Sequence, residues 1–185
     1  MLMQKLKEST RPQHEAVEGS VDVMSKLFSL EDYKLMIAKF RSFYSGYEPT
    51  LPYADLKAAG FDYDERRKLP SLDADAQALG LEGGEAFTAL PDVSSLARAF
   101  GSIYVIEGST LGGQVISRHL KEHLGLTPEN GGAFFASYGS QVGSMWKQFG
   151  QAVTKFSGDG THDEEIVEAA KQTFDSINKC MSMKL

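Results

Sequence analysis

The chain has 185 residues, 42% of them hydrophobic and 24% charged, with a formal net charge of −6. This length and composition predict one soluble globular domain over 1–185, and the acidic balance argues against general binding to nucleic acid. No apolar run approaches the roughly 18 residues of a membrane helix, no secretory signal is visible, and the single cysteine, Cys180, excludes an internal disulfide and thiolate zinc sites, so the expectation is a cytoplasmic protein with no membrane association.

Residues 2–18 read as a helix with Leu2, Leu6 and Val17 on its apolar side. Pro12 interrupts it, and Thr10 is the expected cap of the restart. Gly19 signals a stop, and 21–28 read as a short second helix. Ser29-Leu-Glu-Asp32 resembles a capping box. It opens a long amphipathic helix carrying Tyr33, Ile37, Phe40, Tyr44 and Tyr47, which Pro49 and Pro52 break. Residues 53–68 are expected to be helical in part, interrupted at Gly60, with 62–68 a charged, solvated turn. Another short helix is expected over 71–79. Loop signals at 81–84 and 90–92 precede a long helix from about 94 to 124, capped by Gly125. Gly131-Gly132 marks a loop before a short segment at Phe134-Phe135. A helix over 138–156 bears Trp146 and Phe149, and 157–160 is a tight turn. Thr161-His-Asp-Glu164 reads as a second capping box, opening a last helix through Phe174, Ile177 and Met181. No run alternates as a strand does. The predicted fold class is all-α, a compact multi-helix domain.

The stretch from Tyr104 to Ile116 is unusual within this pattern. Apolar residues at 96, 100, 103, 106, 111, 115 and 116 follow one helix face. Yet Gly108, Gly112 and Gly113 interrupt it, and each costs about 1 kcal/mol against alanine in a helix interior. Close approach of some group to a backbone without Cβ atoms is the plainest reason, with tight helix packing as the competing one.

Four histidines are candidates for chemistry. His119 and His123 stand at i, i+4, a chelating spacing, but Leu-Lys-Glu between them departs from the metalloprotease pattern. An exposed polar face is expected there, and His162 is expected to be solvated in its turn. His14 lies one helical turn before Glu18, which can hold the Nδ1 proton and leave Nε2 free as a ligand or base. Lys7 and Arg11 precede it on a related face. A histidine on one helix and a small-residue backbone on another suit a planar, metal-bearing cofactor such as haem clamped between them.

Two stretches make the sequence resemble the haem oxygenases, particularly the bacterial kind. They are Leu6-Lys-Glu-Ser-Thr-Arg-Pro-Gln-His14 with Glu18 following, and Tyr104 to Ile116 with Gly108-Ser-Thr-Leu-Gly-Gly-Gln114. Phe134-Phe135 and Met145-Trp-Lys-Gln-Phe149 match more weakly. The resemblance implies that haem sits between the N-terminal, proximal helix and a glycine-rich, bent distal helix. By that resemblance His14 is the iron ligand and Glu18 holds its ring. Gly108 and Gly112 flank the distal face, and Gly113 relieves packing there. Lys7, Arg11 and Lys147 fall where the family pairs basic residues with the haem propionates, and Phe174 where it packs an aromatic side chain.

The resemblance further implies haem as substrate and cofactor together, cleaved with O2 and electrons from a reductase or ferredoxin to biliverdin, Fe2+ and CO. A bacterial phytochrome is one conceivable biliverdin acceptor. Two departures stand out: many members carry aspartate where this chain has Ser109, and an arginine position is Gln151. Ser109 therefore keeps a second expectation open, a non-enzymatic haem carrier or sensor of the same fold.

Overall fold

The computed structural model describes residues 1–20, 23–25 and 28–184. Every regular element among them is helical: α1 (Leu2–Ser9), α2 (Arg11–Ser20), α3 (Leu30–Tyr47), α4 (Tyr53–Ala58), α5 (Leu69–Ala78), α6 (Leu96–Leu124), α7 (Ala133–Ala136), α8 (Val142–Ser157) and α9 (Asp163–Ser182), with 3-10 turns at 48–50, 64–66 and 139–141. The short helix expected over 21–28 lies largely outside the described residues, and Val23 and Met24 occupy a turn. Among the described residues no helix is long and apolar enough to cross a membrane.

Local chemistry accounts for most boundaries. Ser29 closes a capping box, its hydroxyl accepting from the Asp32 amide at 3.1 Å while the Asp32 carboxylate accepts from the Ser29 amide at 2.8 Å. Gly125 ends α6 at φ +67°, a left-handed cap that suits glycine. The other two expected caps do not form. Thr10 donates its hydroxyl to the Leu6 carbonyl at 2.8 Å, so it finishes α1 rather than starting α2. Thr161 donates to Asp159 at 2.6 Å, and α9 starts at His162 without a side-chain cap. Three acids, Asp163, Glu164 and Glu165, meet the helix dipole there instead.

The core gathers around α6, whose Phe100, Ile103 and Ile106 are fully buried. Each such side chain contributes about 1.5–3 kcal/mol through burial. α9 packs along α6, and the crossing depends on Gly101. A Cβ there would stand 2.1 Å from the Ile166 carbonyl oxygen. A polar chain crosses the same layer: the Thr173 hydroxyl donates to the Ala169 carbonyl at 2.7 Å and lies 2.9 Å from the Ser102 hydroxyl, which is 2.8 Å from that of Tyr47.

The apolar stripe expected along α6 departs from the core after Ile106. Leu111 is 42% and Val115 53% exposed. Beyond them the helix is held on its other side by α7. Gln114 donates to the Ala136 carbonyl at 3.0 Å, and Gly113 faces the Phe135 carbonyl. α7 is in turn seated on α5, where the Asp75 carboxylate accepts from the Ala133 and Phe134 amides at 2.7 and 2.8 Å. Burial pushes the Asp75 carboxyl upward, and these two hydrogen bonds offset part of the rise.

Segment 62–68 corrects its expectation as a solvated turn: Arg66 and Lys68 are buried. The reason is Glu107 of α6, fully buried, whose carboxylate accepts from Arg66 and, at 2.9 Å, from Lys68. Glu48, also fully buried, accepts from the Lys68 and Leu69 amides and from Arg67.

Candidate functional site

His14 stands exposed on α2. Its Nδ1 lies 3.6 Å from Glu18 Oε2, longer than a hydrogen bond but close enough for the carboxylate to bias the ring. The edge of the imidazole meets Phe174 of α9, ring centroids 5.7 Å apart at 82°. Phe174 itself is buried, so it is a fixed backing for a ring on the surface. Nε2 has no protein partner among the described residues. Three sequence-predicted residues, His14, Glu18 and Phe174, are thus brought together.

The glycine stretch of α6 forms a different wall. The helix runs without interruption through Gly108, Gly112 and Gly113, but the three are not equivalent. A Cβ on Gly113 would lie 3.0 Å from the Phe135 carbonyl oxygen, which assigns Gly113 to internal packing. A Cβ on Gly108 would meet the Trp146 ring at 3.6 Å, ordinary contact. A Cβ on Gly112 would meet nothing within 4 Å, and exposed Leu111 and Val115 flank it. Ser109 is exposed and donates its hydroxyl to the Ile106 carbonyl at 2.7 Å, which leaves its oxygen able only to accept from a neighbour.

Tyr104 joins the two walls. Burial raises its phenol, and the neighbouring Thr10 side chain works against the rise. Thr10 lies one turn before His14 and Tyr104 one turn before Gly108, so the two side chains bring the His14 helix and the glycine helix together. The Tyr104 ring also packs on Trp146 of α8, centroids 5.6 Å apart. From Trp146 an open groove of about 720 Å³ runs along α8, floored by Met3, Trp146 and Gly150 and rimmed by Lys147, Gln151 and Lys155. Lys7 lies on the α1 face that carries Met3, one turn on. The groove does not include His14; the link between them is Trp146–Tyr104–Thr10.

Arg11 pairs with Glu15 at 2.8 Å on its own helix. His119 and His123 stack at 4.0 Å, with His123 Nδ1 3.1 Å from the His119 carbonyl oxygen, and no group of three or more metal-ligating side chains occurs among the described residues. His162 is half-buried, its ring stacked on Phe156 at 4.9 Å.

The ion cluster around Glu107 lies one residue from Gly108 and went unread in the sequence. Tyr138 joins it, donating to Glu107 at 2.7 Å and accepting from Lys68. The available signal was a lone acid between Ile106 and Gly108 on an otherwise apolar and small-residue helix, which demands a buried partner.

The heme oxygenase family model matches residues 1–183. The chain belongs to the haem oxygenase family. A curated relative, the heme oxygenase of Xanthomonas campestris pv. campestris, is 34% identical over 92 residues, and the match covers 50% of this chain and 54% of that protein. The chain thus spans about half the length of the curated relative it matches. Two solved structures share the fold. The NO- and CO-bound heme oxygenase from Neisseria meningitidis has a TM-score of 0.82 at 20% identity, covering 100% of this chain and 94% of that one. The heme oxygenase from Leptospira interrogans has a TM-score of 0.81 at 19% identity, covering 98% of each chain.

Proposed function

We propose that this protein, as one domain over 1–185, binds haem between α2 and α6 and degrades it oxidatively to biliverdin, Fe2+ and CO. The observation that carries this reading is the uncovered strip of Leu111, Gly112 and Val115. It offers bare backbone at Gly112 between two exposed apolar side chains, on a helix whose Tyr104 neighbours Thr10, one turn before His14. The donor set fits haem: an exposed imidazole with its Nε2 unpartnered, and lysines at a groove beside apolar side chains. When bound, haem supplies both the oxygen-activating centre and the ring that is opened, with electrons from a reductase or ferredoxin.

The protein residues then have distinct tasks. His14 offers Nε2 to the iron, Glu18 biases the Nδ1 proton toward itself, and Phe174 fixes the ring edge. Gly108 and Gly112 remove side-chain bulk from the distal wall, and Gly113 lets α7 hold that wall in place. Lys7 and Lys147 would meet the propionates, and Arg11 would join them by leaving Glu15. Ser109 can accept a hydrogen bond from a water but cannot lend its own proton without breaking its bond to Ile106. A cytoplasmic location and delivery of biliverdin to an acceptor such as a bacterial phytochrome complete this reading.

That same Ser109 bond favours a second reading, a haem carrier or sensor, because no anion holds water at this position. One experiment separates them. Haem, reductant and O2 are added to the protein, and the Soret band is followed. Its loss with appearance of biliverdin supports the oxygenase. A lasting oxy spectrum supports the carrier. His14→Ala should abolish the spectrum of histidine-ligated ferric haem in either case, and an unchanged spectrum would overturn the ligand assignment.

A further inference from the structure

The last two turns of α6 carry a pair of side chains that haem binding does not use. His119 and His123 stand at i, i+4, so helical geometry puts them on one face. Their rings face each other, centroids 4.0 Å apart and planes at 27°, with His119 half-buried and His123 exposed. His123 Nδ1 lies 3.1 Å from the His119 carbonyl oxygen, and a carbonyl can only accept, so Nδ1 carries the proton. The neutral His123 ring therefore presents the lone pair of Nε2. Neither that atom nor the ring of His119 has a hydrogen-bond partner among the described residues. A backbone carbonyl that fixes the tautomer and aims the opposite nitrogen outward is the support that metal-ligating histidines generally have. The nearby charges agree. Glu122 is exposed, without an ion-pair partner among the described residues, and lies about 60° round the helix from His119, whereas Arg118 and Lys121 lie about 100° and 160° away.

We propose that His119 and His123 form a two-nitrogen site for one borderline divalent cation of the first transition row, of the class of Zn2+ and Cu2+. Facing rings 4.0 Å apart can share an ion that sits about 2.0–2.1 Å from each nitrogen. Imidazole selects this class over Mg2+ and Ca2+, which take oxygen ligands. No group of three protein ligands occurs among the described residues, so water fills the remaining positions and the ion exchanges with solution. The bound ion clips the end of α6. The pair shares the helical face of Gly108 and Gly112, about 10 Å along the axis from Gly112, so the clip steadies the helix that carries the glycine wall. The ion site does not depend on haem. A helix cap is the alternative role, because a cationic imidazole in the last turn of α6 favours the dipole without any metal.

The test uses the full haem-free chain without an affinity tag, titrated with Zn2+ and with Mg2+ at neutral pH and followed by calorimetry. The wild type should bind Zn2+ and give no heat with Mg2+. His119→Gln and His123→Gln should each weaken this Zn2+ site about 100-fold, because one imidazole alone loses the gain of chelation. Zn2+ should raise the urea midpoint of the wild type and leave that of either variant in place. With Cu2+ as the probe, pulsed electron paramagnetic resonance should count two imidazole nitrogens on the bound ion in the wild type and fewer in either variant. Zn2+ affinity that is the same in the wild type and both variants would overturn the proposal. So would a lower urea midpoint in the metal-free variants with no response of the wild type to Zn2+, the result that a helix cap alone predicts.

Discussion

Glu107 is fully buried, and its charge is tolerable only because Arg66 and Lys68 are buried with it. Burial lowers the Lys68 ammonium, with Glu107 pulling the other way. Glu107→Gln keeps an acceptor for Tyr138 and Lys68 but strands two cations away from water. It should cost about 3–5 kcal/mol in urea unfolding, and a loss below about 1 kcal/mol would mean that water already reaches the cluster. The contrast with His14 and Glu18 explains what was legible at this scale. That pair is four residues apart, so helical spacing alone brings them near each other. Glu107 meets partners 41 and 39 residues earlier in the chain, and no local pattern encodes such a meeting. The charged run at 62–68 looked solvated because its acids and bases balance locally, yet two of its bases turn inward.

The glycines of α6 read as one signal in the sequence and divide into several in the fold. Gly101, outside the conspicuous cluster, makes the closest approach, to Ile166 of α9. Gly101→Ala should therefore destabilise the protein by about 1–3 kcal/mol through overpacking. Gly112→Ala should do the reverse. Its Cβ meets open space, so the ligand-free protein should gain about 1 kcal/mol from helix propensity. Haem affinity should fall in the same variant, and Gly112→Leu should bind still less while remaining folded. Thermal unfolding and haem titration on the same samples decide this, and haem affinity unchanged in Gly112→Leu would remove Gly112 from the distal wall. Hydrophobic periodicity located α6 to within two residues at its start and matched its end, because Ser95, an N-cap, and Gly125 punctuate it. It could not tell which face each glycine presents, since that depends on α7, α8 and α9, all later in the chain.

The order of the helices from α3 onward followed from prolines, glycines and the Ser29 and Gly125 caps, so that part of the architecture was readable. The walls around the candidate site were not, because Tyr104, Thr10 and Trp146 meet through tertiary packing alone. A global property can be tested through Cys180, buried on α9, whose thiol burial pushes up from 9.0 to about 11. The unfolded chain loses this proton first, so between pH 9 and 11 the thiol makes stability fall as pH rises, by at most about 1.4 kcal/mol per pH unit. Lys68, lowered in the fold, acts in the opposite sense below 10.5. The difference between wild type and Cys180→Ala isolates the thiol: the variant should lose less stability from pH 9 to 10, and parallel profiles would refute the assignment. The hold of Asp75 on α7 has a consequence at this scale too. Gly113 and Gln114 join the glycine wall of α6 to Phe135 and Ala136, while Asp75 fastens the other end of α7 to α5. A ligand that steadies the wall should therefore slow deuterium uptake at the Ala133 and Phe134 amides, giving those two backbone positions an isotopic readout of occupancy without touching the ligand.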